Sequence, residues 1–301
     1  MRRIFVTGGT GFFGKSILDY LKRHPDFRAS DEWTILSRDP VRFQSQNAAL
    51  LDQDRKIGFV AGDIRDFRAK GQYDEIIHAA TAAVTTLSDD EMTTTIVEGT
   101  RHVLDFAKSC GAKKILLTSS GAVYGPQTAP VGENAPCNPV TAYGKGKLEA
   151  ERLCAESSLD AKIVRCFAFV GPYLNRDIHY AIGNFIRDCL AGEEIIIKGD
   201  GTPLRSYLYA DDLVEWLFAI LDHGASKRPY NVGSSEGFSI RDLAERVRTA
   251  LDAKNDIRVL GVPVPGMPPS VYVPDVSRVM QELGLHMTVG FADAVRSSAT
   301  I

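Results

Sequence analysis

A tyrosine and a lysine stand four residues apart in the segment AYGKGK, at Tyr143 and Lys147. On a helix this spacing puts both side chains on one face. A free tyrosine has a pKa of about 10, and a neighbouring ammonium favours its phenolate. The pair is therefore suited to proton transfer at a carbonyl or alcohol oxygen, with Tyr143 moving the proton and Lys147 lowering its pKa.

A serine that can assist this transfer closes the apolar segment KKILLTSS, at Ser120. Strand ends are where doubly wound sheets build their sites, and a hydroxyl there can bond a substrate oxygen. A Tyr-x-x-x-Lys spacing alone is a weak motif, since a packed tyrosine and a solvated lysine give the same pattern. The order along the chain, a glycine-rich loop, then serine, then the Tyr/Lys pair, favours hydride transfer coupled to proton transfer.

The glycine-rich loop near the N-terminus, in MRRIFVTGGTGFFGKS, fits two phosphate-binding patterns. Gly9, Gly14, Lys15 and Ser16 match the P-loop of nucleoside triphosphatases, whereas Gly8, Gly11 and Gly14 match a dinucleotide-binding turn. A P-loop also needs an acidic strand end for Mg²⁺.

The candidate for that acidic strand end is Asp63 in GFVAGD, where Gly62 interrupts the apolar run. The dinucleotide interpretation explains more of the loop. Gly8 would make the tight turn, Gly11 would let the backbone approach the pyrophosphate, and Gly14 would let the helix pack on the strand.

The end of the second predicted strand indicates which dinucleotide is bound. NAD-binding folds commonly place a carboxylate there, whereas an arginine accommodates the 2′-phosphate of NADP. Here the strand WTIL leads into Ser37 and Arg38, and Asp39 lies just beyond. A hydroxyl and a guanidinium suit a phosphate. The sequence therefore favours NADP(H), with NAD(H) as the alternative.

Apolar strand signals alternate with helical periodicity through the first half of the chain, which predicts a parallel sheet covered on both faces. The predicted fold class is α/β, a doubly wound Rossmann sheet with a smaller mixed C-terminal substrate-binding domain. We place the nucleotide-binding domain at residues 1–170 and the substrate domain mainly at 171–301, with room for late elements to return to the first sheet.

Composition narrows the class of protein further. The formal net charge of −3 over 301 residues argues against nucleic-acid or membrane-surface binding. No apolar run is long enough to span a membrane. Five cysteines without metal-ligand spacing suggest reduced thiols, a cytoplasmic location and no metal site.

At these residues the chain resembles the extended short-chain dehydrogenase/reductase family, the NAD(P)-dependent nucleotide-sugar epimerases, dehydratases and reductases. The similar segments are TGGTGFFG, GDIRD, HAA, TSSGAVYG, YGKGK, VRCFAFVGP and GDGTPLRSYLYADDLV. The resemblance implies a nucleotide-diphosphate sugar as substrate and the catalytic roles given above to Ser120, Tyr143 and Lys147. It also implies a homodimer formed through the segments TTTIVEGTRHVLDFAKSC and AYGKGKLEAERLCAES.

The resemblance assigns further residues to the two ligands. For the cofactor it implies contacts, besides the catalytic pair and the residues of the second strand end, from Gly8, Thr10, Gly11, Phe12, Phe13, Gly14, Asp63, Ile64, Ala79, Ala80 and Cys166. For the substrate it implies Thr81, Asn184 and Arg205 beside the catalytic hydroxyls, with Arg205 on the diphosphate.

Departures from the family pattern narrow the reaction. Family 4,6-dehydratases carry Thr-Asp-Glu where this chain has Ser120, Gly121 and Ala122, so the acid and base that eliminate water are missing. The family Asn of N-V-x-G-T is Ile96 here, which leaves a local helix contact or proton path in question.

Two reactions at sugar C4 remain. We expect a 4-ketoreductase acting on an NDP-4-keto-6-deoxyhexose in surface-polysaccharide synthesis, and an NAD-dependent 4-epimerase is the alternative. A non-catalytic NADP sensor is the alternative from another class, against which the retained Tyr143 and Lys147 argue.

Overall fold

The computed structural model describes residues 1–80, 87–178 and 180–300. The strands are β1 Arg3–Thr7, β2 Glu32–Ser37, β3 Ile57–Ala61, β4 Glu75–His78, β5 Lys114–Ser120, β6 Asp160–Cys166, β7 Phe169–Val170, β8 Ile195–Ile197, β9 Leu204–Arg205, β10 Leu208–Tyr209, β11 Pro229–Val232, β12 Phe238–Ser239, β13 Ile257–Val259 and β14 Val271–Tyr272. The α-helices are α1 Phe12–Arg23, α2 Pro40–Gln46, α3 Asp89–Cys110, α4 Ala142–Glu156, α5 Ala181–Ala191, α6 Ala210–His223, α7 Ile240–Ala250, α8 Ser277–Leu283 and α9 Phe291–Ser298. Short 3₁₀ turns cover Ala48–Leu50 and Gly121–Tyr124.

A seven-stranded sheet in the order β11-β6-β5-β4-β1-β2-β3 forms the framework. The pairs β1–β2, β1–β4, β2–β3 and β4–β5 are parallel. Successive strands run outward from β1 in one direction and then, from β4, in the other, which makes the sheet doubly wound. This architecture confirms the predicted α/β class.

The central strands are apolar because helices cover both faces of the sheet. Phe5, Ile76 and Ile115 have no exposed surface, and Phe5 packs in a cluster of aromatic rings that includes Phe67 and Phe106. The parallel pairing of these strands places their carboxyl ends at one edge of the sheet, where Ser37, His78 and Ser120 lie.

Helix α3 begins earlier than its apolar periodicity predicts. The periodic segment starts at Thr93, but the helix starts at Asp89 because Ser88 and Glu91 form a reciprocal capping box. The helix ends at Gly111, whose φ of 78° is the left-handed conformation typical of a C-cap. Three carboxylates in the first turn also stabilise the helix, because they lie at the positive end of its dipole.

The chain divides into two compact units. The first comprises residues 1–125, 136–165 and 217–230, and the second comprises 126–135, 166–216 and 231–301. The second unit contains small sheets, β10–β7, β12–β9–β14 and β13–β8, with helices including α5, α7 and α9. The apolar segment AKIVRCFAFV is divided between two strands, since β6 ends at Cys166 and β7 pairs with β10.

Candidate active site

The loop between β1 and α1 is shaped by glycines that lie against backbone. Gly8 has a φ of 73°, and a Cβ there would lie 2.5 Å from the Ala79 carbonyl. A Cβ on Gly14 would lie 2.2 Å from the backbone of Gly9. At Gly11 a Cβ would meet only the Gly8 carbonyl, at 3.5 Å. Gly8 and Gly14 are therefore required by packing, whereas Gly11 leaves open space at the N-terminus of α1.

The position of the Ser16 side chain argues against the P-loop interpretation. Its hydroxyl is buried and donates to the Phe12 carbonyl at 2.8 Å, within the same helix. A P-loop serine would instead present this hydroxyl to Mg²⁺. The loop leads into a helix N-terminus, the kind of element that binds the pyrophosphate in dinucleotide-binding folds.

Hydrogen bonds tie the ends of β1 and β4 together beside this loop. The Ala79 N–H donates to the Thr7 carbonyl at 3.1 Å, and the Ala80 N–H donates to Thr7 Oγ1 at 3.2 Å. Thr7 Oγ1 also lies 2.8 Å from His78 Nδ1, and His78 Nε2 lies 3.1 Å from Thr100 Oγ1. Ala79 and Ala80, predicted to contact the cofactor, are thereby fixed against the glycine-rich loop.

The hydrogen-bond directions define the tautomer of His78. Thr100 Oγ1 donates to the Ile96 carbonyl at 2.7 Å, so it accepts from His78 Nε2–H. His78 Nδ1 is then the acceptor of the Thr7 hydroxyl. Burial, with the nearby Lys147 cation, lowers the pKa of His78 to about 3. His78 is thus a neutral packed histidine in the folded protein.

At the end of β2 the three polar residues differ in exposure and in partners. Ser37 is buried and its hydroxyl accepts the Asp39 N–H at 3.2 Å, whereas Arg38 is exposed. Asp39 caps helix α2, accepting the Arg42 N–H at 3.0 Å. The carboxylate nearest this strand end is therefore engaged with a helix N-terminus, and the guanidinium of Arg38 faces solvent.

Beyond β3, Asp63 accepts Arg65 Nε at 2.7 Å and the Arg65 N–H at 3.1 Å. The hydrogen bond from the Arg65 guanidinium lowers the pKa of this carboxyl. The next residue, Ile64, packs closely against α3, because a Cβ on Gly99 would lie 3.1 Å from it. Ile64 therefore fixes the position of the loop that carries Asp63.

Ser120 is the last residue of β5 and is 5% exposed. Its Oγ accepts the Ala122 N–H at 3.1 Å and so caps the 3₁₀ turn Gly121–Tyr124. Capping uses an oxygen lone pair, and a serine hydroxyl also carries one donor hydrogen. The cap therefore fixes the position of the Ser120 hydroxyl at the end of β5.

Tyr143 and Lys147 lie one turn apart on α4, which Thr141 caps through the Gly144 N–H at 3.1 Å. Lys147 is 2% exposed, its Nζ donates to the Thr118 carbonyl at 2.7 Å, and Nζ lies 5.9 Å from the Tyr143 ring centroid. Tyr143 is half-buried. The first unit thus combines the Ser120 strand end with the Tyr/Lys helix.

The contact between α4 and the Ser120 segment is close. A Cβ on Gly144 would lie 2.7 Å from the Ala122 carbonyl. On the other side of α4, Gly146 packs against Ile96, where a Cβ would lie 3.3 Å away. Ile96 is therefore a packing residue between α3 and α4, and its carbonyl accepts the Thr100 hydroxyl.

The remaining predicted residues fall in three places. Thr10, Phe12 and Phe13 lie half-buried in the loop and first turn of α1, with the two rings edge to face at 6.0 Å. Thr81 lies outside the described residues. The second unit holds Cys166, Asn184 and Arg205, and Cys166 is buried at the end of β6.

Asn184 and Arg205 both donate to backbone carbonyls. Asn184 Nδ2 bonds the carbonyls of Arg176 and Ile178 at 2.6 and 2.9 Å. Arg205 Nη1 bonds the Leu204 carbonyl at 2.8 Å and the Ser270 carbonyl at 3.3 Å. Their roles toward a substrate remain predictions, and in the structure both side chains hold loops in place.

Sequence reasoning missed a buried ion pair beside the candidate site, Glu151 with Arg165. Glu151 also accepts the hydroxyl of Ser119. The only available signal was the position of Glu151, four residues after Lys147 and so on the same helix face. Within the described residues, no group of three or more His, Cys, Asp or Glu side chains could hold a metal ion.

Known proteins are similar to this chain over nearly its whole length. Residues 4–233 match the NAD dependent epimerase/dehydratase family. UDP-glucuronic acid decarboxylase 6 of Arabidopsis thaliana is 30% identical over 299 residues, covering 94% of this chain and 83% of its own. Among solved structures, the dTDP-glucose 4,6-dehydratase DesIV of Streptomyces venezuelae, with NAD bound, is 28% identical, with a TM-score of 0.84 and coverage of 98% and 95%.

A UDP-galactose 4-epimerase structure is 25% identical, with a TM-score of 0.80 and coverage of 99% and 97%. The chain belongs to the NAD dependent epimerase/dehydratase family and carries its Rossmann-like nucleotide-sugar enzyme fold. The helices of the described residues include none with the length and apolarity to cross a membrane.

Two glycine substitutions separate cofactor contact from packing. Gly11→Ala should lower stability by less than about 1 kcal/mol, since its Cβ has space and Ala is only a poorer N-cap than Gly, but should weaken NADPH binding at least tenfold. Gly14→Ala should lower stability by about 1–3 kcal/mol through overpacking. Thermal unfolding and fluorescence titration with NADPH measure both effects. Equal loss of stability in the two variants would contradict this division.

The buried neutral His78 should make stability depend on pH. Because its pKa is about 3 in the folded protein and about 6.5 when unfolded, the unfolded chain binds the extra proton between these values. The unfolding free energy should therefore fall by up to about 1.4 kcal/mol per pH unit below pH 6.5. Chemical denaturation at pH 7.5 and 5.5 measures this slope. His78→Gln should flatten it, whereas His223→Gln, at an exposed histidine, should not.

Proposed function

We propose that this protein is a nucleotide-sugar 4-ketoreductase that uses NADPH to reduce an NDP-4-keto-6-deoxyhexose. The observation that carries the proposal is the side-chain set around Ser120. Tyr143 and Lys147 can move one proton at a substrate oxygen, while Gly121 and Ala122 offer no side chain for a second acid or base. Such a set suits a single hydride and proton transfer at C4.

The glycine-rich turn fits a nicotinamide dinucleotide. Gly11 presents backbone without a side chain at the N-terminus of α1, where N–H groups and the helix dipole favour a pyrophosphate. Ala79 and Ala80 border this turn without long side chains. Phe12 and Phe13, Thr10, Asp63 and Ile64 are proposed to complete the surface along the dinucleotide.

The residues expected beside the 2′ position of the adenosine ribose favour NADP(H). Arg38 is exposed directly after β2, and Asp39, the carboxylate that would serve the 2′-hydroxyl of NAD, is bonded to the N-terminus of α2. An arginine fork accommodates a phosphate with charge-assisted hydrogen bonds. The solved relative DesIV binds NAD, so this preference distinguishes our proposal from that protein.

When bound, the nicotinamide supplies the hydride to the carbonyl carbon. Tyr143 donates a proton to the carbonyl oxygen as the alkoxide develops, and Ser120 donates a hydrogen bond to the same oxygen. Lys147, held by the Thr118 carbonyl, stabilises the resulting phenolate through its positive charge. Water removal across C5 and C6 would need a further acid and base, which positions 121 and 122 do not provide.

Binding of the sugar nucleotide is assigned to Arg205, toward the diphosphate, and to Asn184 and Thr81, toward the sugar. Arg205 is half-buried, and its bonds to the Leu204 and Ser270 carbonyls both come from Nη1, one of the nitrogens that together carry five N–H donors. We also propose a homodimer through α3 and α4, testable by light scattering, and a cytoplasmic location, consistent with five free thiols.

A second candidate is an NAD-dependent 4-epimerase, favoured by the 25% identical UDP-galactose 4-epimerase structure. The same serine, tyrosine and lysine would serve both directions of hydride transfer, since the two C4 proton transfers use one group in turn. The redox balance differs between the two reactions. A reductase consumes one NADPH per turnover, whereas an epimerase regenerates its cofactor.

The function is tested by mixing the purified protein with NADPH and an NDP-4-keto-6-deoxyhexose and following absorbance of the reduced nicotinamide. Stoichiometric NADPH oxidation with formation of a 6-deoxyhexose supports the proposal. Copurified NAD, with turnover of UDP-galactose or UDP-glucuronic acid and no net NADPH oxidation, would replace it with an epimerase or a decarboxylase.

Tyr143→Phe provides the mechanistic control for this assay. Loss of the general acid should lower kcat by about 10²–10⁴-fold while NADPH binding stays within severalfold. Tyr73→Phe is the matched variant, because Tyr73 is a buried tyrosine that precedes β4, at the amino end of the sheet. It should keep wild-type kcat.

The cofactor preference is tested separately with Arg38→Gln. Removing a charge-assisted contact to the 2′-phosphate should weaken NADPH binding by about 10- to 100-fold, the equivalent of roughly 1.5–3 kcal/mol. NADH binding should change by less than threefold. Arg42→Gln, an exposed arginine on α2, serves as the control. Equal losses for both nucleotides would contradict a 2′-phosphate contact.

A further inference from the structure

Glu151 on α4 and Arg165 on β6 form an ion pair that is almost fully removed from solvent. Both residues are 6% exposed. Arg165 Nη2 donates to Glu151 Oε2 at 2.8 Å, and Nε donates to Oε1 at 3.0 Å, so the guanidinium fork grips both carboxylate oxygens. Desolvation makes such a pair no more stabilising than well-packed apolar residues. Stability alone therefore does not explain its presence.

The pair contacts both ends of the segment that carries Ser120. Glu151 accepts the hydroxyl of Ser119, the residue immediately before Ser120. Arg165 lies over the ring of Tyr124, with its guanidinium carbon 4.8 Å from the ring centroid. Tyr124 is the last residue of the 3₁₀ turn that Ser120 caps, and it is 1% exposed. The catalytic hydroxyl thus lies between two residues that the ion pair holds.

The same pair is continuous with the helix that carries the proton donor. Tyr143, Lys147 and Glu151 follow one another at intervals of four residues on α4, and so share one helix face. Lys147 bonds the Thr118 carbonyl and Glu151 bonds the Ser119 side chain. Two successive turns of α4 are therefore fastened to two successive residues of β5.

We propose that Glu151 and Arg165 are positioning residues, which fix the separation between the Ser120 hydroxyl and the Tyr143 phenol by holding residues 119–124 against α4. This inference rests on the proposed function, in which those two groups act on one substrate oxygen. Proton transfer and oxyanion stabilisation are sensitive to misplacement of about 1 Å, which costs on the order of 10²-fold in rate. The two hydrogen bonds between Arg165 and Glu151, together with the bond from the Ser119 hydroxyl to Glu151, restrict such displacement.

The decisive variant is the double substitution Glu151→Met with Arg165→Met. Removing both charges together avoids an unpaired buried ion and keeps similar side-chain volume, so the melting temperature should stay near or above that of the wild type. The kcat for NADPH-dependent reduction should fall at least 30-fold. The substrate KM and the NADPH Kd should change by less than threefold, because neither ligand contacts the pair in this proposal.

Ser119 supplies a second, smaller variant that keeps the ion pair intact. Ser119→Ala removes only the hydroxyl that joins β5 to Glu151 and should lower kcat about tenfold at constant KM. Ser119→Thr retains a hydroxyl and should recover most of the lost rate. The matched control is Glu149→Gln with Arg152→Gln, a pair on the same helix, bonded at 2.6 Å, whose arginine is exposed. It should keep wild-type kcat.

Amide hydrogen exchange tests, without turnover, whether Glu151 and Arg165 hold residues 119–124 in place. In Ser119→Ala and in the double variant, peptides covering residues 119–124 should exchange faster than in the wild type, while β1 peptides should not change. If the wild type fails to oxidise NADPH, the proposed function fails, but hydrogen exchange still tests whether the ion pair holds residues 119–124. Wild-type kcat in a folded double variant, or unchanged exchange at 119–124, would overturn the inference.

Discussion

The candidate site depends on the hydrogen bond that the buried ammonium of Lys147 donates to the Thr118 carbonyl. With 2% exposure, this ammonium cannot be solvated by water, and its hydrogen bond to the Thr118 carbonyl fixes it to the end of β5. A buried cation disfavours any neighbouring positive charge, and the pKa of His78 is lowered by burial and by this cation together. Lys147 thus ties α4 to β5 and adds to the burial that keeps His78 neutral.

Close backbone approach provides the rest of the geometry. Gly8 lies against Ala79, Gly14 against Gly9, and Gly144 against the Ala122 carbonyl, each at a distance that excludes a Cβ. These contacts bring the glycine-rich loop, the end of β4 and the helix that carries Tyr143 and Lys147 to one edge of the sheet. Since neighbouring backbones cannot shift as a side chain can, this edge has little freedom to deform.

Within one family, a few side chains separate different reactions on a shared framework. The relatives of this chain include a decarboxylase, a dehydratase and an epimerase by name. Here the segment after Ser120 carries Gly121 and Ala122, and the end of β2 carries an exposed arginine. In our proposal the first feature bears on the reaction and the second on the choice of cofactor, while the core that supports them belongs to the fold.

The fold class, the glycine-rich turn and the helical spacing of Tyr143 and Lys147 could be predicted from the sequence, because each is encoded in local spacing along one strand or helix. Contacts between distant segments are visible only in the folded structure. Ser119, Glu151 and Arg165 come from β5, α4 and β6, and no local pattern indicates that they meet. It also showed Asn184 bonded to a loop and Asp39 to a helix end. Which residues from distant parts of the chain meet depends on tertiary packing, and local spacing in the sequence carries no information about that packing.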